Sequence, residues 1–78
     1  MNILELFEMT KEHIIYLYRP EGRGEGGKVI YHFADKKAIV YQQATDDEFG
    51  RYAHKASLKV EECVDKNNLP LRLVQAWN

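Results

Sequence analysis

Apolar positions spaced three and four residues apart predict a single long amphipathic helix over residues 45–70. Thr45-Asp46-Asp47-Glu48 has the form of a capping box, in which a hydroxyl and a carboxylate satisfy amides at the start of a helix. Asn67-Asn68 can supply the left-handed residue that ends a helix, and Pro70 prevents its continuation. The apolar stripe between these signals contains Phe49, Tyr52, Ala53, Ala56, Val60, Cys63 and Val64.

The middle of the chain predicts a β-hairpin, because residues 29–34 and 38–43 are rich in β-branched and aromatic side chains. The polar residues 35–37 between them have the length of a hairpin connection. A register that pairs Ala34 with Ala38 places Tyr31 opposite Tyr41. One sheet face then contains Val29, Tyr31, Phe33, Ile39 and Tyr41, and the other contains Ile30, His32, Ala34, Ala38, Val40 and Gln42.

Three other segments are less sharply defined. Residues 14–18 have strong strand propensity, and residues 3–9 suit either a short helix or a strand. We prefer the strand, because residues 10–12 then form the turn of a first hairpin. Residues 71–77 suit an edge strand or a short helix behind Pro70, and we expect Trp77 to pack against the rest of the protein.

Together these elements predict an α+β fold: a small antiparallel sheet of three to five strands, formed by a meander of two hairpins. One long helix in the C-terminal half packs on one face of that sheet. The 78 residues predict a single domain, residues 1–78, near the lower size limit for folding on one core. Because such a domain buries little area, we also expect self-association as a homodimer.

Composition and charge narrow the classes of partner. Eleven basic and twelve acidic residues give a net charge of −1, without the basic surplus typical of duplex nucleic-acid binders. The same balance disfavours recruitment to an anionic membrane. The single cysteine indicates a reducing compartment. The N-terminal residues do not resemble a signal peptide, and no apolar run reaches the ~20 residues of a membrane span. We therefore expect a cytoplasmic protein.

No pattern in the sequence predicts an enzyme. Residues 22–27 are glycine-rich but lead into a strand, whereas phosphate-binding loops open a helix, so we interpret them as a flexible connection in which Arg23 is a candidate contact residue. Cys63 and His54 lie on opposite faces of the predicted helix, which leaves the thiol without a base. The three histidines lack metal-ligand spacing. We expect no catalytic residue, metal or cofactor.

The aromatic side chains of the predicted strands are the remaining candidates for function. They share one sheet face if both hairpins use matching registers, and one helix covers only one face. Either the helix packs on the aliphatic face of Ile15, Leu17, Ile30 and Val40, which leaves the tyrosines exposed, or the aromatic side chains form the core. The candidate binding residues are Tyr16, Tyr18, Arg23, Tyr31, Phe33 and Tyr41.

An exposed aromatic face favours a non-catalytic protein that binds another protein, because tyrosine is enriched at interface hot spots. The chain resembles, in size and element content alone, small proteins of bacterial phages and mobile elements, which suggests an inhibitor or accessory factor. The alternative is a binder of single-stranded nucleic acid, since bases stack on exposed rings.

Overall fold

The fold is a five-stranded antiparallel sheet with one helix packed on one face. The structure, a computed structural model, describes residues 1–77. The strands lie in the order β4-β3-β2-β1-β5. This confirms the predicted α+β class, although the helix has only 15 residues. In chain order the elements are β1 (Asn2–Met9), β2 (His13–Pro20), β3 (Gly27–His32), β4 (Lys37–Gln42), α1 (Arg51–Asp65) and β5 (Arg72–Gln75).

Both ends of the described chain are strands, and they are neighbours in the sheet. β1 pairs with β2 on one side and with β5 on the other, so that Leu4 lies opposite both Tyr18 and Leu73. The turn between β1 and β2 is closed by the Thr10 hydroxyl, which accepts the amide hydrogens of Glu12 and His13 at 3.1 Å each. The strand alternative for residues 3–9 is therefore confirmed, and β5 resolves the choice for residues 71–77 in favour of a strand.

The predicted register of the second hairpin is wrong by three residues. His32 pairs with Lys37 and Tyr31 with Ala38, rather than Ala34 with Ala38. The connection is four residues long, and Lys36 adopts a left-handed conformation with φ 55° while its amide donates to the His32 carbonyl at 2.9 Å. Because an odd shift moves side chains to the opposite face, Ile39 shares a face with Ile30 rather than with Tyr31.

The predicted helix start at Thr45 is also wrong, because α1 begins after Gly50. Gly50 has a φ of 71° and no side chain with which to cap the helix. The carboxylate of Asp47 takes that role from three residues upstream, where it accepts the amide hydrogens of Tyr52 at 3.1 Å and Ala53 at 2.8 Å. Asp47 is almost fully buried, so the preceding turn must bend inward to place it.

The C-terminal end of α1 agrees with the sequence prediction. Asn67 is left-handed, with a φ of 53°. Its amide donates to the Val64 carbonyl at 3.0 Å and the Asn68 amide to the Cys63 carbonyl at 2.9 Å, which is the pattern of a Schellman motif. Leu69 then packs against the core.

The core lies between the helix and the tyrosine face of the sheet. Tyr16 and Tyr18 are fully buried and Tyr31 nearly so. The helix meets them with small side chains, among them Ala53 and Ala56, which allows the backbone to approach the sheet closely. Tyr16, Tyr18 and Tyr31 therefore follow the second alternative and form the core, whereas Phe33 is 38% exposed and Tyr41 is 61% exposed. Within residues 1–77, no helix is long and apolar enough to span a membrane.

Candidate protein-binding face

The face of the sheet opposite the helix carries no second layer of helix or strand from residues 1–77. We call this surface the open face. Its members follow from strand alternation and register, and the Phe7 ring joins them because the Lys28 ammonium lies over it at 4.3 Å. The open face comprises Ile3, Glu5, Phe7, Glu8, His13, Ile15, Leu17, Arg19, Lys28, Ile30, His32, Lys37, Ile39, Gln42, Arg72 and Val74.

An aliphatic row crosses the middle of the open face. Ile39, Ile30 and Ile15 lie opposite one another on β4, β3 and β2, and we call them the isoleucine row. Ile15 and Ile30 are buried, whereas Ile39 is 54% exposed. Phe7 is 55% exposed and Val74 is similarly accessible. The open face therefore presents apolar side chains to solvent.

Polar side chains on both sides of the isoleucine row form contacts within the face. The His13 and His32 rings meet edge to face, with centroids 6.4 Å apart. His13 Nε2 lies 2.6 Å from a carboxylate oxygen of Glu8. Arg19 forms an ion pair with Glu5. The two carboxylates of the open face are thus both occupied by neighbours on the same face.

Two of the candidate binding residues serve the core instead. The Tyr16 hydroxyl donates to the Pro70 carbonyl at 2.6 Å. The Tyr18 hydroxyl donates to Asp47 at 3.0 Å and accepts the Ala44 amide hydrogen at 2.9 Å. Burial raises the pKa of each phenol to about 12. These hydroxyls connect β2 to the segments at either end of α1, and neither reaches the surface.

The other four candidates are dispersed. Tyr31 is buried, and Phe33 packs edge-on against it at 5.5 Å between ring centroids. Tyr41 is 61% exposed and lies at an irregularity in the pairing of β4 with β3. Arg23 lies in the glycine-rich loop, beside a polar pocket that Glu21 and Asp46 also line. The six residues therefore do not form one surface.

A second cluster of rings lies at the start of α1. The Trp77 ring is 5.5 Å from the Tyr52 ring and has the Lys55 ammonium 5.1 Å from its centre, so Trp77 packs against the rest of the protein as expected. The Arg51 guanidinium lies 5.8 Å from the centre of the exposed Phe49 ring. Phe49 was expected on the buried stripe, but it precedes the actual helix. Cations already lie over the Phe49 and Trp77 rings, which leaves less free aromatic surface here.

The two side chains of α1 that could act as nucleophiles, Cys63 and Ser57, are both buried. The Cys63 thiol is buried, and burial raises its pKa, so at neutral pH it carries its proton. The Ser57 hydroxyl donates to the Ala53 carbonyl at 2.9 Å within the helix. Among residues 1–77, no three side chains of metal-binding type converge on one point.

The outer edge of β4 is a competing surface, because an edge strand offers free backbone groups. Here a carboxylate oxygen of Glu61 accepts the Ala38 amide hydrogen at 2.8 Å, so a helix side chain occupies one of those donors. The irregularity near Tyr41 also interrupts the straight edge. Both features make this edge a poorer template for strand pairing than a regular strand.

The sequence did not identify several exposed residues of the open face as binding candidates, including Phe7, Lys28 and Lys37. The alternation of Ile3, Glu5 and Phe7 was a usable signal for a strand with two different faces. The signal did not show which face the helix would cover.

Fold and surface together define a class: a small two-layer α+β domain with one sheet face left open. Comparison of the chain with protein-family models, with curated proteins and with solved structures gave no match.

Proposed function

We propose that this chain is a non-catalytic interaction module that binds another protein through its open face. The observation that carries the proposal is a sheet face on which Phe7 and Ile39 remain more than half exposed, next to the buried Ile15 and Ile30. Apolar patches rimmed by polar side chains mark protein-interaction sites on soluble domains. Binding would cover these residues and add a layer to the sheet.

A role without catalysis agrees with the chemistry of the described residues. The thiol of Cys63 is protonated and buried, and the serine hydroxyl is engaged by its own helix. A module of this kind acts by occupying a surface of its partner, as an inhibitor or as an accessory factor does. A second copy of the chain is an alternative occupant of the face.

Binding of single-stranded nucleic acid has less support. That proposal depended on exposed tyrosines, and Tyr16, Tyr18 and Tyr31 are buried. Tyr41 alone offers a single ring, whereas stacking proteins present rings for successive bases.

The proposal is tested by affinity capture from a lysate of the organism that encodes the chain, followed by identification of retained proteins by mass spectrometry. The test variant is Ile39→Glu, which places a charge in the isoleucine row. The matched control is Leu58→Glu, because Leu58 on α1 is 52% exposed, nearly the same as Ile39. Circular dichroism establishes that both variants fold.

We expect the wild type and Leu58→Glu to retain the same protein, and Ile39→Glu to lose it. Cross-links from the retained protein should then map to lysines of the open face, Lys28 and Lys37. Retention that survives Ile39→Glu but is lost in Leu58→Glu would place the interface on the helix and refute the proposal.

A further inference from the structure

We propose that the open face recognises a protein surface with an apolar centre flanked by carboxylates. This inference rests on the proposed function and adds the chemistry of the partner. It follows from the distribution of charge over the chain, from the spacing of the cations around the isoleucine row, and from the poor fit of other occupants.

Charge is distributed unevenly between the open face and the rest of the chain. The face holds four of the eleven cations but only two of the twelve carboxylates. Both carboxylates are engaged there, Glu5 by Arg19 and Glu8 by His13. Within residues 1–77 no carboxylate pairs with the remaining cations, Lys28, Lys37 and Arg72. The face is therefore positive on a chain whose net charge is −1.

The cations flank the apolar centre on two sides. Along β3, Lys28 precedes Ile30 by two residues and His32 follows it by two, with Lys37 beside His32 on β4. Each pair of residues along a strand spans roughly 7 Å, so Lys28 and Lys37 are about 14 Å apart along the strand direction, with the isoleucine row between them. A complementary surface would carry large apolar side chains between acidic groups at that spacing.

Other occupants match this pattern less well. A second copy would bring a second set of the same cations to the interface, and like charges disfavour that contact. Nucleic acid would meet an aliphatic centre in which bases cannot stack. Apart from the histidine pair, the face within residues 1–77 has one aromatic ring, Phe7, whereas stacking proteins present rings for successive bases.

The experiment uses a phage-displayed library of random peptides, panned against the immobilised chain. We expect enriched peptides that combine large apolar residues with two or more Asp or Glu. A synthetic copy of an enriched peptide should shift the amide resonances of Ile15, Ile30 and Ile39 in NMR spectra. Its affinity should fall as salt is added, because exposed charge pairs are screened.

Two charge reversals make the test specific. Lys37→Glu should lower the affinity for the peptide at least about fivefold, since it replaces an attraction with a repulsion at the rim of the face. Arg51→Glu is the matched control, because Arg51 is an exposed cation on α1, and it should leave the affinity unchanged. Equal binding to wild type and Lys37→Glu would overturn the inference.

The outcomes separate this inference from the function it extends. Peptides that bind the open face but lack acidic residues would overturn the inference and leave the interaction module standing. Peptides that bind only elsewhere would overturn both. A dimer that Ile39→Glu dissociates in sedimentation experiments would also overturn the inference. Tighter binding of random single-stranded DNA or of phosphatidylserine vesicles to the face than of any peptide would overturn the inference as well.

Discussion

Asp47 connects β2 to the first turn of α1 through one carboxylate. It accepts the Tyr18 hydroxyl hydrogen from β2 and two amide hydrogens from the first turn of α1. A carboxylate at this position also suits the positive end of the helix dipole. The N-terminus of α1 is thus held to the sheet by a residue outside the helix, and Gly50 is free to adopt its left-handed conformation.

Replacement of Asp47 by Ala should lower the free energy of unfolding by about 3 kcal/mol, because a buried hydroxyl and two helix amides lose a charged acceptor. Urea denaturation measures the change. Asp46→Ala is the control: Asp46 is exposed, and the expected change is below about 0.5 kcal/mol. Equal losses for the two variants would contradict the role assigned to Asp47.

Among the elements, those specified by local signals were predicted best. The helix end at Asn67 was predicted correctly, because its Schellman motif depends on residues that are close in sequence, Asn67-Asn68 and Pro70. The start of α1 depends on the distant Tyr18, so the nearby capping-box sequence at Thr45 was misleading. The register of β3 and β4 depends on the conformation of Lys36, and hydrophobic alternation alone fits several registers.

The candidate site could not be predicted from the same signals. Both faces of the sheet are rich in apolar residues, and the choice between them depends on which one the helix covers. The hydroxyls of Tyr16 and Tyr18 find acceptors only in the folded chain, at Pro70 and Asp47. The rings of Tyr16, Tyr18 and Tyr31, which looked suited to binding, are therefore core residues, and the aliphatic face was left open.

Glu61 protects the outer edge of β4, because its carboxylate accepts the Ala38 amide hydrogen. Glu61→Ala should free the Ala38 amide, lower the free energy of unfolding by about 1 kcal/mol and promote strand pairing between molecules. Hydrogen exchange at Ala38 and concentration-dependent light scattering measure the two effects. Glu61→Gln keeps an acceptor oxygen and should behave like the wild type. Unchanged exchange at Ala38 in Glu61→Ala would show that the contact does not protect the edge.

For the molecule as a whole, the buried phenols predict sensitivity to alkali. Tyr16 and Tyr18 have pKa values raised to about 12 from 10.0, mainly by burial. The folded state therefore keeps protons that the unfolded state releases above pH 10, and stability is lost as pH rises from there toward about 12. Denaturation across this range, with tyrosinate absorbance as a second signal, should show the decline. Tyr16→Phe should make it shallower, and an identical slope would contradict the assignment.

The position of β1 between β2 and β5 has a consequence for the order in which the protein folds. During synthesis from the N-terminus, β1 can pair with β2 as soon as the first hairpin is complete, but its other edge waits for residues 72–75. Until then, the edge of β1 that contains Ile3 and Leu4 has no strand partner, and unpaired edges of this kind recruit other chains. Pairing of the four residues of β5 with β1 therefore removes an edge at which nascent chains can associate.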